Sequence, residues 1–255
     1  MVIPRIIPVL LLKNSGLYKT VKFRNPKYIG DPVNAVRVFN EKEVDELILL
    51  NFNATLNKSP IPFDLLADIA SQCFMPLCYG GGIRVIDDIK KIIFSGVEKI
   101  AVNTIAAEKP SFVEEAAILF GSSTIVVSID VRKSWTGKYE VWTCSGTKSV
   151  KTRPEEFAKQ MENCGAGEIL INSINNDGEM AGYDLELIRL ISETVKIPVI
   201  CCGGAGKLND MKDAFNNGAT AMAAGSFFVF HGRHRGVLIS YPERQELEAL
   251  FTAAI

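Results

Sequence analysis

Residues 76–82 (PLCYGGG) and 198–204 (PVICCGG) carry one pattern 122 positions apart: a proline, a short apolar run and a glycine pair. The same offset superimposes Glu46 on Glu168, within ELILLNFN and EILINSIN, and carries Asp88 onto Asp210, Gly96 onto Gly218 and Thr104 onto Ser226. Shared α/β composition alone does not align a proline, a glycine pair, a further glycine and a hydroxyl residue at one spacing. A period near half of the 255 residues points to two fused halves, about 1–122 and 123–255, built into a single domain.

The elements inside each half alternate. Short β-rich runs occupy Arg5–Leu11, Glu46–Leu50, Leu77–Gly80, Lys99–Asn103, Thr124–Asp130, Glu168–Asn172, Pro198–Cys202 and Ala221–Ala224, eight in all. Most are continuously apolar, as parallel strands covered on both faces must be. Helical spacing fills the gaps: in Val85–Ser95, Val85, Ile89, Ile92 and Ile93 share one face, while Asp87, Asp88, Lys90 and Lys91 largely hold the other. Glu155–Asn163 and Leu185–Val195 read alike, and Gly96, Gly165 and Gly218 stand where left-handed helix caps want glycine. Eight βα units without a linker, at a length near the roughly 250 residues of such folds, predict one α/β (βα)8 TIM barrel made of two duplicated (βα)4 halves.

Charge and cysteine usage narrow the function classes. Twenty-eight Lys+Arg against 29 Asp+Glu leave a net charge of −1, so no broad basic face for nucleic acid or an anionic membrane is expected. No apolar run reaches the roughly 20 residues of a membrane span, and Ile6–Leu12 reads as a buried first strand rather than a targeting segment. Cys73, Cys78, Cys144, Cys164, Cys201 and Cys202 include no C-x-x-C pair and read as small buried hydrophobes of a reducing cytoplasm. The only histidines, His231 and His234, have no cysteine nearby, so no zinc or other metal site is expected.

Barrel chemistry sits at the C-terminal ends of the strands. There Gly80-Gly81-Gly82 ends one strand and Asn103-Thr104 the next; in the second half Gly203-Gly204-Ala205-Gly206 pairs with Gly225-Ser226. Glycines let backbone N–H groups approach an anion, and a Thr or Ser hydroxyl adds a donor. A glycine run after a strand also serves as a plain tight turn. Two copies, each with a hydroxyl partner one βα unit later, point to a bisphosphate ligand or to two separate phosphate groups.

With those residues in view the chain resembles the HisF family, the cyclase subunit of imidazole glycerol phosphate synthase. The likeness runs from about Arg5 to Phe230 and is densest in GDPV (30–33), YGGGI (79–83), VNT (102–104), SID (128–130), GAGEIL (165–170), DG…GYD (177–184) and GGAGK (203–207). The resemblance implies a duplicated barrel of histidine biosynthesis. Such a barrel takes ammonia from a glutaminase (HisH-like) subunit docked below and reacts it above with a bisphosphorylated ribonucleotide. It implies phosphate binding at Gly82, Asn103, Thr104, Gly178, Gly204, Gly225 and Ser226, a loop lysine at Lys19, a general base at Asp130 and a polar active-site residue at Asp177. It further implies an ammonia gate of Arg5, Glu46, Lys99 and Glu168, a glutaminase contact at Glu98, where the family has aspartate, and no cofactor.

One departure concerns the chemistry itself. The family pairs an aspartate at the end of the first strand with one at the end of the fifth, and the first-strand position here is Leu11. Leucine neither donates nor accepts a proton, and removing a general acid commonly costs about 10²–10⁴-fold in rate. Asn51 stands for an aspartate, Asn172 for a threonine and Cys202 for a serine. The segment NSGLYKTVKFRNPKYIGDPV (14–33) resembles that of HisF-like proteins associated with surface polysaccharides. In those systems the resemblance implies a HisF/HisH-like pair that supplies ammonia to a separate amidotransferase, which turns an N-acetyl sugar into an acetamidino sugar. The expectation is an ammonia-handling, cyclase-like subunit repurposed in that direction; the alternatives are a working histidine-pathway cyclase and a ligand sensor that regulates its glutaminase.

Other conspicuous residues have two readings. Trp135 and Trp142 flank a hairpin-like segment (134–146) that either covers a ligand or packs its own aromatics. The stretch 231–236 (HGRHRG) reads as a phosphate contact or a solvated loop, and Phe227, Phe228 and Phe230 as packing between barrel and last helix.

Overall fold

The computed structural model describes residues 3–232 and 234–252, so Arg233 of the basic stretch lies outside the described residues. Eight parallel strands form the barrel: β1 (Arg5–Lys13), β2 (Leu47–Asn51), β3 (Leu77–Gly80), β4 (Lys99–Val102), β5 (Ile125–Lys133), β6 (Glu168–Ser173), β7 (Val199–Cys202) and β8 (Ala221–Ala224). Each pairs with its neighbour in sequence, and β8 returns to β1 with Arg5 opposite Ala221 and Pro8 opposite Ala224, which closes the sheet. Helices α1 (Pro32–Glu41), α2 (Phe63–Ser71), α3 (Ile86–Phe94), α4 (Ser111–Phe120), α5 (Pro154–Asn163), α6 (Leu185–Ser192), α7 (Leu208–Asn216) and α8 (Arg244–Thr252) surround it. No helix among the described residues is long and apolar enough to cross a membrane.

The eight expected strands all form, and their differences in extent have local causes. β5 runs past Asp130 to Lys133 because the chain turns back at 134–138 and pairs antiparallel with Tyr139–Thr143. Likewise the segment around the loop lysine Lys19 is a two-stranded hairpin: Gly16–Val21 pairs with both β1 and Arg24–Gly30. Pairing with β1 satisfies backbone groups that an open loop would leave to water.

The conserved spacing between halves has a mechanical use in the helices. The Asp88 carboxylate accepts the amides of Arg84 and Val85 at 2.9 and 3.1 Å, and Asp210 accepts those of Gly206 and Lys207 at 2.8 and 3.0 Å. Each acid therefore caps the helix that follows a glycine turn and holds that turn in place. Gly96, Gly165 and Gly218 follow α3, α5 and a α7 turn with φ of 96, 91 and 100°, which is the expected left-handed cap.

Strand alternation divides the core in two. Outward residues join the helices in a large outer cluster, among them Leu10, Leu49, Tyr79, Ile129 and Met222. Inward residues form a second cluster that fills the barrel axis: Ile7, Val9, Ile48, Cys78, Ala101, Val126, Leu170, Ile200, Ala221 and Ala223. Only Cys78 and Cys201 of the six cysteines are fully buried; the other four are partly buried, so the reading of all six as buried hydrophobes holds fully for two. Phe228 is buried against Phe227 and Tyr241 at ring separations of 5.1 and 5.3 Å, the packing role expected of it. His231, Gly232 and His234 are exposed.

The axial plug predicts a mutational cost. Ile48→Ala removes a fully buried side chain that closed strands cannot move inward to replace, so unfolding in urea should lose about 2–5 kcal/mol.

Candidate active site and lower charge ring

The upper end of the barrel opens into a cavity of about 140 Å3. Gly82, Asn103 and Thr104 line one side, Gly178, Gly204, Gly225 and Ser226 the other, and Leu11, Lys19, Asp130 and Asp177 also face it. Of the upper-face residues singled out in the sequence, these share one space, while Gly206 lies outside its lining. Two glycines are obligatory there: at Gly81 (φ 112°) a Cβ would lie 2.2 Å from the Asn51 carbonyl oxygen, and at Gly204 (φ 117°) 2.1 Å from that of Gly182. The turns therefore press backbone against backbone at the cavity wall.

Two hairpins roof the cavity. In the second, Cys144 N donates to Thr104 Oγ1 at 3.2 Å and Ser145 Oγ donates to the Phe52 carbonyl, so Ser145 lines the first-half site. Sequence reasoning missed Ser145; its only signal was a place beside Gly146 in a turn. The covering reading of 134–146 fits its root, whereas Trp135 at the tip is 97% exposed and covers nothing. Trp142 lies beneath the Arg132 guanidinium, 3.9 Å from Cζ to the ring centroid.

The first hairpin is fastened by Asp177. Its Oδ2 accepts Thr20 Oγ1 at 2.9 Å and Phe23 N at 3.1 Å, and its carbonyl accepts Lys22 N at 2.9 Å. Lys22 and Phe23 hold φ of 52 and 61°, and a left-handed conformation is costly for a bulky side chain. The bonds to Asp177 offset that strain, and the Phe23 ring enters the cavity wall.

Burial governs the ionisable groups. Desolvation, and then the neighbouring Asp177 charge, pushes the Asp130 carboxyl up to about 7, against the opposing influence of Asn172. Asn103 Nδ2 stands 3.3 Å from Asp130 Oδ2. Asp177 is itself raised, by burial first, with Phe23 N, Thr20 and Lys19 pulling the other way. Lys19 is pushed down to about 8 by burial, against the pull of Asp177, and donates to the Val9 carbonyl beside Gly225. Cys202 faces the same space, its thiol pushed up to about 12 mainly by burial. A carboxyl poised near neutrality can both take and return a proton. The apolar Leu11 adds none.

At the opposite end, Arg5, Glu46, Lys99 and Glu168 close into a ring of alternating charge. Arg5 bonds Glu46 and reaches Glu168 at 2.9 Å; Lys99 reaches Glu46 at 3.0 Å and Glu168 at 3.2 Å. Desolvation lowers the Arg5 pKa, but Glu168 and Glu46 outweigh it and leave it raised. Glu46 is 2% exposed, so each ion depends on the others, unlike an exposed surface pair. Six residue steps along β1 carry the chain from Arg5 to Leu11, about 20 Å at strand rise. Exposed Glu98 borders the ring and accepts the Leu77 amide at 2.6 Å.

A family model described as histidine biosynthesis protein matches residues 5–235. A Pseudomonas aeruginosa protein provisionally named imidazole glycerol phosphate synthase subunit hisF2 is 51% identical over 250 residues, 97% of this chain and 99% of the relative. A Leptospira interrogans protein, provisionally named as the HisF subunit, is 46% identical over 97% of this chain and 98% of the relative. The imidazole glycerol phosphate synthase subunit HisF of Alkaliphilus metalliredigens is 38% identical over 91% of this chain and 92% of its own length.

The raised carboxyl gives a signed pH test. Between about 4 and about 7 the native state holds a proton on Asp130 that the unfolded chain has released, so its contribution to stability falls as pH rises through that window. Asp130→Asn should therefore raise the melting temperature at pH 8 by at least ~3 °C more than at pH 5. An equal difference at both pH values would mean that Asp130 is already ionised at pH 5.

Proposed function

This chain belongs to the HisF family of histidine biosynthesis proteins, and on that footing we propose that it is an ammonia-receiving synthase subunit. A HisH-like glutaminase docks on the N-terminal face, at Glu98 and the charge ring. Ammonia passes Arg5, Glu46, Lys99 and Glu168 and travels along the apolar axis past Ile7, Ile48 and Leu170. Neutral ammonia crosses such a lining, whereas an ammonium ion would lose its hydration at a cost of many kcal/mol. At the upper face, Gly82, Asn103, Thr104, Gly178, Gly204, Gly225 and Ser226 hold a phosphorylated or bisphosphorylated ligand through backbone amides and hydroxyls, and Lys19 supplies the cation.

One observation carries this reading: a complete charge ring at one end of the barrel accompanies a cavity at the other in which Leu11 occupies the family's first catalytic position. The delivery route is retained and half of the ring-closing acid–base pair is gone. The ammonia therefore goes to another acceptor, a separate amidotransferase that amidinates a surface-polysaccharide sugar. The second reading, a histidine-pathway cyclase, is favoured by Asp130 near neutrality with Asp177 beside it.

Turnover of the bisphosphorylated ribonucleotide intermediate under saturating ammonium, which bypasses any glutaminase, separates the two. The proposal expects binding without turnover in the unmodified chain, and a gain in Leu11→Asp. Turnover by the unmodified chain would establish the cyclase reading instead. With the glutaminase partner present, Lys99→Ala should lower glutamine-dependent ammonia transfer at least about tenfold while leaving partner binding intact. An unchanged transfer rate in Lys99→Ala and Glu46→Ala would remove the gate.

A further inference from the structure

The tip of the first hairpin and the root of the second meet above the first-half phosphate site. At Gly146 an added Cβ would stand 3.1 Å from the Phe23 ring and 3.5 Å from Arg132 NH2, so ring, guanidinium and turn share one seam. Arg132 is held there rigidly: it stacks on Trp142 and donates from NH2 to the Gly146 carbonyl at 2.9 Å. Arg24 follows Phe23 and is exposed. The two cations feel each other: burial first, and then the Arg24 charge, lower the Arg132 pKa, with Glu140 opposing.

Neighbouring cations are paired. Lys22 has Glu179 at 3.4 Å and Lys133 has Glu186 at 2.6 Å, but among the described residues neither Arg24 nor Arg132 reaches a carboxylate within 4 Å. Glu140 stands opposite Arg132 in the strand ladder without bonding it. Two like charges at the lip of a cavity, one locked by stacking, repel each other until an anion lies between them. A guanidinium with free N–H groups suits a phosphoryl group in particular, because its fork donates to two oxygens.

The phosphate site and this seam are adjacent. Ser145 lines the cavity beside Thr104, and Gly146, the next residue, carries the bond to Arg132. We propose that Arg24 and Arg132 form a further anion subsite, so that the first-half site takes a diphosphoryl group, with one phosphoryl against Asn103, Thr104 and Ser145 and the second in the seam. This rests on the reading of the cavity as a phosphate site. It extends that reading from a phosphomonoester to a diphosphate ligand.

Calorimetric titration of the full chain with inorganic phosphate and inorganic pyrophosphate tests it. Pyrophosphate should bind at least tenfold more tightly than phosphate. Arg132→Gln and Arg24→Gln should each cut that ratio to about twofold while leaving phosphate affinity within twofold. Lys22→Gln, a cation on the same tip with its own partner, should leave the ratio unchanged. Arg132→Gln could disturb the second hairpin, so Arg24→Gln, on an exposed side chain, decides the matter independently. Equal affinity for the two anions in the unmodified chain, or a ratio unmoved in Arg24→Gln, would overturn the subsite. If phosphate does not bind and Thr104→Val leaves pyrophosphate binding unaltered, the cavity reading fails while the arginine seam stands.

Discussion

The register in which β8 meets β1, with Arg5 opposite Ala221, sends the odd-numbered residues of β1 inward, and the other strands follow around the closed sheet. Successive positions up the axis then read as layers: charged at the bottom, apolar through the middle, polar at the top. A slip of one residue would turn Arg5, Ile7, Val9 and Leu11 outward into the helical sheath and put Ile6 and Leu10 on the axis. Ring, plug and cavity are three consequences of one pairing.

The layers have different energetic characters. The middle contributes stability by removing apolar surface from water. The ring contributes little net stability, since desolvating Glu46 offsets most of its attraction to Arg5 and Lys99, and its worth lies in its geometry. The cavity is costly: Asp130, Asp177 and Lys19 are buried with displaced pKa values, and Phe23 is held in a left-handed conformation. Such costs gather where chemistry or binding requires them. Asp177 links two of them, because the carboxylate that fastens the first hairpin also raises Asp130.

Leu11 brings no titratable group to that balance. It sits in β1 opposite Tyr18 and Leu50, where an apolar side chain packs easily. The carboxyl of Asp130 consequently shares the cavity with Asp177 and Lys19 rather than with a first-strand acid. The upper face thus presents glycine turns and hydroxyls beside an uneven set of titratable groups.

Much of this was legible in the amino-acid order. The 122-residue offset, the continuous apolar runs and the glycine turns specify eight βα units, because parallel strands need apolar residues on both faces and tight turns need glycine at positive φ. The acids at 88 and 210 were visible as a repeated pair, though their use as helix caps emerged only with the bonds to the preceding amides. What the order alone could not settle depends on contacts between distant segments. That 13–30 is a hairpin follows from its pairing with β1 and from Asp177, some 150 positions away. Ser145 joins the first-half wall of the cavity because the second hairpin folds back onto Thr104. The meeting of Phe23 and Arg132 at Gly146 has no sequence signal, for the two residues are 109 positions apart and approach only because both hairpins close over one mouth. Local chemistry chose the elements; closure of the sheet and docking of the hairpins chose which side chains share a site.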